Sequence, residues 1–181
     1  MMSAQDPRNK FKTSDYDQQE QELPGLQSKM TPQPDCGETS YKGHERLKGY
    51  KMLVTGGDSA IGRAAAIAYA KEGADVAINY LPSEEEDAQE VKQVIEDAGQ
   101  KGILIPGDLR DEQFNYDMVE TAYNELGGLD NVTLVAGHQQ YHDDIHGFNT
   151  EAFAETFETN VYPVFWTVQK ALEYLKPGSS I

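Results

Sequence analysis

The chain has 181 residues, enough for one domain of ordinary size, and a formal net charge of -16 at pH 7. Such an acidic chain lacks the basic footprint that binding to nucleic acid or to an anionic membrane surface requires, so we expect neither partner. The single cysteine, Cys36, excludes an intramolecular disulfide and a cysteine-based metal cage.

Residues 1–49 are predicted to form an N-terminal arm, because they contain few large apolar side chains and several Pro and Gly breakers. One alternative is a disordered tail, since the segment buries too little apolar area to offset its ordering entropy. The other is an extended arm that wraps the body or a neighbouring subunit, anchored by Leu23, Leu26, Met30 and Tyr41. The chain start has no signal-peptide pattern and no apolar run approaches membrane-spanning length, so a cytoplasmic location is expected.

From residue 50 onward, apolar segments alternate with amphipathic ones in a regular order. The apolar segments predict strands at 50–55, 75–80, 102–106 and 132–136. The segments between and after them predict helices at 60–72, 83–98, 111–126 and 150–175. Nearly continuous apolar strands indicate a parallel sheet that is covered on both faces. The fold expected is therefore α/β, a Rossmann-type doubly wound parallel sheet that stops at the start of a fifth strand at 179–181.

Helix boundaries can be assigned from capping residues. Ser83 with Glu86 forms a predicted capping box, Asp111 and Thr150 are predicted N-caps, and the Glu run at 84–86 suits the positive end of a helix rather than a metal. Pro163 predicts a kink or bulge beside Asn160. The apolar residues of the fourth helix are expected to point inward: Phe153, Phe157, Val161, Val164, Phe165, Val168, Leu172 and Leu175.

The segment Thr55–Gly62 joins the first strand to the first helix and has the pattern T-G-x-x-x-A-x-G. Gly56 and Gly57 relieve steric limits in the turn, and Gly62 allows the helix to pack closely on the strand. A helix N-terminus at such a turn faces an anionic group, usually a phosphate. The segment therefore predicts a nucleotide-binding site.

Four motifs in this order resemble the N-terminal half of a short-chain dehydrogenase/reductase: the glycine turn, Gly107-Asp108-Leu109, Ala136-Gly137 and Asn160. The arm further resembles a bacterial subgroup that carries an N-terminal extension. The resemblance implies NAD(P) as cofactor, an alcohol, aldehyde or ketone as substrate, and a homo-oligomer, a tetramer, for the full-length protein. Where the family has Asn-Asn-Ala-Gly after the fourth strand, this chain has Leu134-Val135-Ala136-Gly137.

The resemblance also assigns roles to residues. The turn would hold the pyrophosphate, Asp108 would accept a hydrogen bond from the adenine amino group, and Asn160 would support a proton relay. A structural role for Asn160 at the kink is the alternative. The cofactor-binding residues expected in this way are Gly56, Asp58, Ser59, Ala60, Ile61, Gly62, Tyr80, Leu81, Asp108, Leu109, Ala136 and Gly137.

The choice between NAD and NADP depends on the end of the second strand, where a carboxylate would bind the ribose 2′-hydroxyl of NAD. That end is Asn79-Tyr80-Leu81, which favours NADP slightly. Arg63 is a candidate for holding a 2′-phosphate, and its alternative role is that of a solvated helix residue. The acidic cluster at 84–87 argues against NADP.

Two further features bear on chemistry. His138, His142 and His146 are spaced four apart, but they lie in a predicted loop, so a place near the substrate mouth is preferred to a metal site. The family's Ser, Tyr and Lys follow the fifth strand, and no Tyr-x-x-x-Lys occurs in residues 1–181. The 181 residues alone are therefore expected to be inactive. The alternative is a non-enzymatic nucleotide-binding module or a decayed remnant.

Overall fold

The protein is described by a computed structural model, which places Asp6 and residues 18–181. Four parallel strands form one sheet in the order β3–β2–β1–β4. The strands are β1 Lys51–Thr55, β2 Asp75–Tyr80, β3 Gly102–Pro106 and β4 Asn131–Leu134. The helices are α1 Ala60–Lys71, α2 Glu85–Asp97, α3 Glu112–Leu126, α4 Thr150–Asn160 and α5 Tyr162–Ala171. The predicted doubly wound α/β fold is confirmed.

Helices cover both faces of the sheet, so each strand contributes side chains to two cores. Val54 and Ile78 pack with α1 and α2 on one face. Leu53 and Ala77 pack on the other face with Met118 of α3, which is fully buried. Because successive strand side chains point to opposite faces, an unbroken apolar strand is what this two-sided burial requires.

The start of α2 differs from the prediction. The Glu84 carboxylate, not the Ser83 hydroxyl, accepts the hydrogen bond at this end, from the Leu81 N–H over 3.1 Å. A short 3-10 helix, Pro82–Glu84, therefore precedes α2, and Ser83 is exposed. At α3 the prediction is confirmed, because Asp111 accepts from the N–H groups of Gln113 and Phe114.

The predicted fourth helix is two helices, α4 and α5, separated at Val161, which confirms the interruption expected from Pro163. Asn149, rather than Thr150, caps α4 through its side chain. The predicted inward face is wrong, since six of its eight residues are exposed: Phe153, Phe157, Val161, Val164, Phe165 and Leu172.

A different and smaller face of α5 packs on α3. Thr167 is fully buried and its hydroxyl donates to the side-chain oxygen of Asn115 over 3.0 Å. Pro163 and Ala171 complete this face. Small side chains and one satisfied buried hydrogen bond allow α5 to approach α3 closely, so the larger apolar residues lie on the outer side.

The end of the chain pairs with β4. Asn131 and Ser180 form a parallel bridge, with the Val132 N–H donating to the Ser180 carbonyl over 3.1 Å. The sequence predicts the start of a fifth strand at 179–181, and this isolated bridge pairs that segment with the β4 side of the sheet.

Residues 18–49, called the arm below, lie along α1 and α2. Two of the expected anchors are wrong, because Leu23 is 67% and Met30 42% exposed. Polar residues make the attachment instead. Within the described residues, no helix is both long enough and apolar enough to cross a membrane.

Candidate functional site

A cleft of about 570 Å³ opens at the carboxyl ends of the strands, where the chain crosses from the β3 side of β1 to the β4 side. In open α/β sheets, ligands bind at this kind of crossover. Of the twelve predicted cofactor residues, all except Gly62 line the cleft. His138, for which the sequence predicts a place near the substrate mouth, also lines the cleft. Further lining residues that the sequence did not assign to the cofactor site are Leu23, Pro24, Gly25, Glu84, Arg110, Glu155 and Thr159.

The glycines of the turn are required by close packing. A Cβ added to Gly62 would lie 1.9 Å from the Gly56 carbonyl oxygen, and one added to Gly57 would lie 2.5 Å from the Ile78 side chain. Ala60, in contrast, has a φ of 46°, a left-handed conformation that strains a residue with a Cβ. The turn thus brings the N-terminus of α1 close to β1, and Ser59, Ala60 and Ile61 line the cleft.

The opposite wall follows β4 and is joined to the turn by Thr55. The Thr55 hydroxyl oxygen accepts hydrogen bonds from the N–H groups of Val135 and Ala136 over 3.1 and 3.3 Å. Ala136 lies directly against Gly56, since a Cβ on that glycine would be 3.0 Å from the Ala136 Cα. Small residues on both sides therefore keep this part of the cleft open to a ligand.

Asn160 is not part of the cleft lining and instead fixes the wall behind it. Its Oδ1 accepts the His138 N–H over 2.7 Å, and its Nδ2 donates to the His138 carbonyl over 2.8 Å. Both halves of the amide are thus used by one backbone residue. This geometry assigns Asn160 a positioning role in the loop that follows β4.

Two acidic side chains lie at the β2 end of the cleft. Asp58 is 2% exposed, and among the described residues its Oδ2 has no hydrogen-bond partner. Burial raises the pKa of Asp58. Burial and the charge of Asp58 raise the pKa of Glu84 to about 7. A buried acceptor without a donor is costly, so this end of the cleft suits a ligand that brings a hydroxyl group.

Asp108 and Leu109 line the cleft beyond β3. The Arg110 guanidinium donates to both Asp108 oxygens, with its closest approach at 2.6 Å. This pair lowers the pKa of Asp108. Asp108 is therefore a carboxylate at neutral pH and can accept a further hydrogen bond, while the mostly buried Leu109 offers an apolar surface.

Arg63 does not have either of the roles that the sequence suggests for it. The residue is 6% exposed, which excludes a solvated helix position. Its Nε donates to Glu38 of the arm over 2.7 Å and its terminal nitrogens donate to Glu90 of α2 over 3.2 Å. Since Arg63 is absent from the cleft lining and faces two carboxylates, it holds no charge available for a phosphate.

The three histidines are separated by the loop after β4. His138 lines the cleft, whereas the His142 ring packs on Phe148 at 4.8 Å and His146 is exposed in a 3-10 turn. In the part of the chain that the structure describes, no three His, Cys, Asp or Glu side chains converge on a possible metal position.

The cleft fits a dinucleotide on structural grounds. Gly56 and the first residues of α1 line the cleft, the first turn of α1 supplies N–H donors for a diphosphate, and Asp58 supplies an acceptor for a hydroxyl group. The family model for short chain dehydrogenases matches residues 51–180, which include the whole sheet. The chain belongs to the short-chain dehydrogenase/reductase family.

Relatives of this chain are longer than it is. It is 55% identical over its full length to the uncharacterized oxidoreductase YghA of Escherichia coli K12 and covers 62% of that protein. It is 58% identical over 97% of its length to the uncharacterized oxidoreductase YhxD of Bacillus subtilis 168 and covers 58% of that protein. The chain thus spans about three fifths of the length of these relatives.

A solved structure of the family carries a cofactor. A short chain dehydrogenase from Burkholderia cenocepacia J2315, in complex with NADP, is 36% identical, with a TM-score of 0.69. The comparison covers 75% of this chain and 56% of that one. These likenesses show an oxidoreductase family and the N-terminal portion of its fold.

Proposed function

We propose that this chain is the cofactor-binding part of an NAD(P)-dependent oxidoreductase that transfers a hydride between a nicotinamide cofactor and an alcohol, aldehyde or ketone. The observation that carries the proposal is the glycine-lined cleft at the crossover of the sheet, with the N-terminus of α1 on one side and the unpartnered Asp58 on the other. Membership of the family supports the reaction class.

Each wall of the cleft has a proposed task. First-turn N–H groups of α1 bind the diphosphate, because Ser59 and Ile61 line the cleft and lie at the positive end of the helix dipole. Asp108 accepts from the adenine amino group and Leu109 covers the ring. Ala136 and Gly137, which are small, permit close approach of the nicotinamide ribose. Asn160 keeps this last wall in position through His138 and is proposed to support a proton relay.

The cofactor, when bound, supplies or accepts the hydride. The protein must then move a proton at the substrate oxygen, for which the family uses a Tyr and a Lys in the pattern Tyr-x-x-x-Lys. Since that pattern does not occur in residues 1–181, we propose that these residues bind the cofactor without turnover. The cytoplasmic, homo-oligomeric (tetrameric) enzyme expected from the sequence is proposed for the full-length protein.

We further propose a slight preference for NADP over NAD. It is supported by the absence of a carboxylate at the last residues of β2 and by the NADP held in the Burkholderia structure. Arg63 gives it no support, and the charges of Asp58 and Glu84 oppose a 2′-phosphate at neutral pH or above. The preference is therefore expected to be small and to depend on the ionisation of Glu84.

Calorimetric titration of the 181-residue chain with NADPH and with NADH tests the proposal. One saturable site for both, with NADPH bound more tightly at pH 6, is the expected result. If the chain binds neither cofactor, the proposed cofactor site is wrong. If it binds NADH as tightly as NADPH or more tightly at pH 6, the proposed preference for NADP is wrong. Aldehyde reduction above a heat-denatured control would contradict the absence of turnover.

A further inference from the structure

The arm is fastened to the body by polar contacts along the whole of α1. Lys71 donates to the carbonyl oxygens of Gly37, Glu38 and Tyr41 over 2.7, 2.6 and 3.2 Å. Glu72, at the end of α1, accepts the N–H groups of His44 and Arg46 over 2.8 and 3.0 Å. With the Arg63–Glu38 ion pair, these contacts fix the arm at both ends of the helix.

Gln27 is the most deeply buried contact of the arm, with 4% of its surface exposed. Its N–H and that of Ser28 donate to the two oxygens of Asp87 over 2.5 and 3.1 Å. Asp87 lies in α2 and is fully buried. The backbone of the arm is therefore anchored at this point by a carboxylate that has no exposed surface.

The Gln27 side chain extends from this anchor to the glycine turn. Its Oε1 accepts the Ala60 N–H over 2.6 Å, and its Nε2 is 3.3 Å from the Cys36 sulfur. Ala60 is the first residue of α1 and has the strained φ of 46°. Gln27 thus occupies the Ala60 N–H and leaves the N–H of Ile61, which lines the cleft, for a ligand.

The arm also forms part of the cleft itself. Leu23, Pro24 and Gly25 line it beside Asp58, Ser59 and Ile61. The segment just before Gln27 is therefore in position to lie over whatever the N-terminus of α1 binds.

We propose that the arm is a component of the cofactor site: Gln27 is a positioning residue that sets the α1 N-terminus for the diphosphate of a dinucleotide, and residues 23–25 cover that diphosphate. The inference rests on the proposed cofactor binding and extends it to residues outside the range 51–180 that the family model matches. A neutral amide suits this place, because its oxygen accepts the Ala60 N–H without adding negative charge where an anion is to bind.

The test replaces Gln27 with Glu. Gln27→Glu keeps the length and the acceptor oxygen but places a negative charge beside the diphosphate. Affinity for NADH and for ADP, measured by calorimetry, is expected to fall by at least about tenfold. Affinity for adenosine, measured by NMR titration, is expected to change little because adenosine has no phosphate. Gln33→Glu is the matched control, since it adds the same charge at an exposed position of the arm.

A second variant avoids the buried position. Gly25 is exposed and lines the cleft, and a Cβ there would meet only the Gln21 side chain at ordinary contact distances. Gly25→Asp is expected to weaken ADP and NADH in the same selective way without lowering the melting temperature. If Gln27→Glu does not fold, the affinities of Gly25→Asp for ADP and NADH decide whether the arm is part of the cofactor site.

The outcomes separate the two proposals. If the wild-type chain binds none of these ligands, the proposed cofactor site is wrong. If it binds them and Gln27→Glu behaves like Gln33→Glu, only the role of the arm is wrong. Equal losses for adenosine and ADP in Gln27→Glu or Gly25→Asp would also reject that role, since they would indicate a general structural effect.

Discussion

Asn160 holds the backbone of His138 through both ends of its side-chain amide, at 2.7 and 2.8 Å. The contact joins the last residue of α4 to the loop after β4, so the wall of the cleft depends on a helix that is itself largely exposed. Both groups of the amide are thus used by His138, which lines the cleft, whereas Asn160 itself does not line it.

Replacing Asn160 should therefore loosen the loop. Asn160→Ala removes two hydrogen bonds and is expected to lower the free energy of unfolding by about 1–3 kcal/mol, measured by urea denaturation. Asn160→Asp keeps the acceptor for the His138 N–H but loses the donor to its carbonyl, so its loss should be intermediate. Wild-type stability in Asn160→Ala would show that the amide does not hold the loop.

Gly62 should tolerate no side chain. In Gly62→Ala the new Cβ would meet the Gly56 carbonyl at 1.9 Å, so the turn must open and both stability and cofactor affinity should fall. A loss of more than about 2 kcal/mol in unfolding free energy is expected. Gly147→Ala is the matched control, because a Cβ at Gly147 meets no atom of the described chain within 4 Å. Equal stability of the two variants would contradict the packing argument.

At Ala60, in contrast to Gly62, a substitution is expected to raise the free energy of unfolding. Its left-handed φ costs a residue with a Cβ about 1–2 kcal/mol, of which glycine would recover part after its larger entropy loss on folding. Ala60→Gly should raise the unfolding free energy by about 0.5–1 kcal/mol. Ala68→Gly, in the interior of α1, should lower it by about 1 kcal/mol. A destabilised Ala60→Gly would refute the strain.

The acidic end of the cleft predicts a pH dependence of binding. The pKa of Glu84 is raised to about 7 by burial and by Asp58, so Glu84 is mostly neutral at pH 6 and mostly charged at pH 8. Because the added charge repels an anionic ligand, the dissociation constant of NADH should rise between these values. NADH lacks the 2′-phosphate of NADPH, which itself titrates near this range.

Glu84→Gln provides the control for that measurement. With no carboxyl at this position, the dissociation constant of NADH should change much less between pH 6 and pH 8. The same variant should remove a pH effect on folding. Since the folded pKa lies above the unfolded one, Glu84 contributes stability below about pH 4.5 that is lost as pH rises to about 7. A pH profile unchanged by Glu84→Gln would assign the effect to another group.

The strands and the glycine turn could be predicted from the sequence because local patterns determine them. The start of α2 could not, because the S-x-x-E pattern at Ser83 does not reveal that Glu84 accepts the Leu81 N–H and that a 3-10 turn, Pro82–Glu84, precedes the helix. The buried face of α5 was also mispredicted. Helical spacing identifies an apolar face, but Thr167 is buried because it finds Asn115, which lies 52 residues earlier in the chain.

In the candidate site, too, local motifs could be predicted from the sequence, whereas contacts between distant residues could not. The motifs identify residues next to the crossover, since the carboxyl ends of parallel strands meet at one edge. The contacts of Arg63 and Gln27 could not be predicted in this way, because their partners Glu38, Glu90 and Ala60 lie 25 to 33 residues away in sequence. No local pattern marks a glutamine in a polar arm as a residue that becomes buried against a helix N-terminus.

The strand order β3–β2–β1–β4 divides the walls of the cleft between two sides of β1. Tyr80 and Asp108 follow β2 and β3, which lie on one side of β1, whereas Ala136 follows β4 on the other side. A change that displaces β4 from β1 would therefore widen the cleft at Ala136 and leave the strands behind Tyr80 and Asp108 paired.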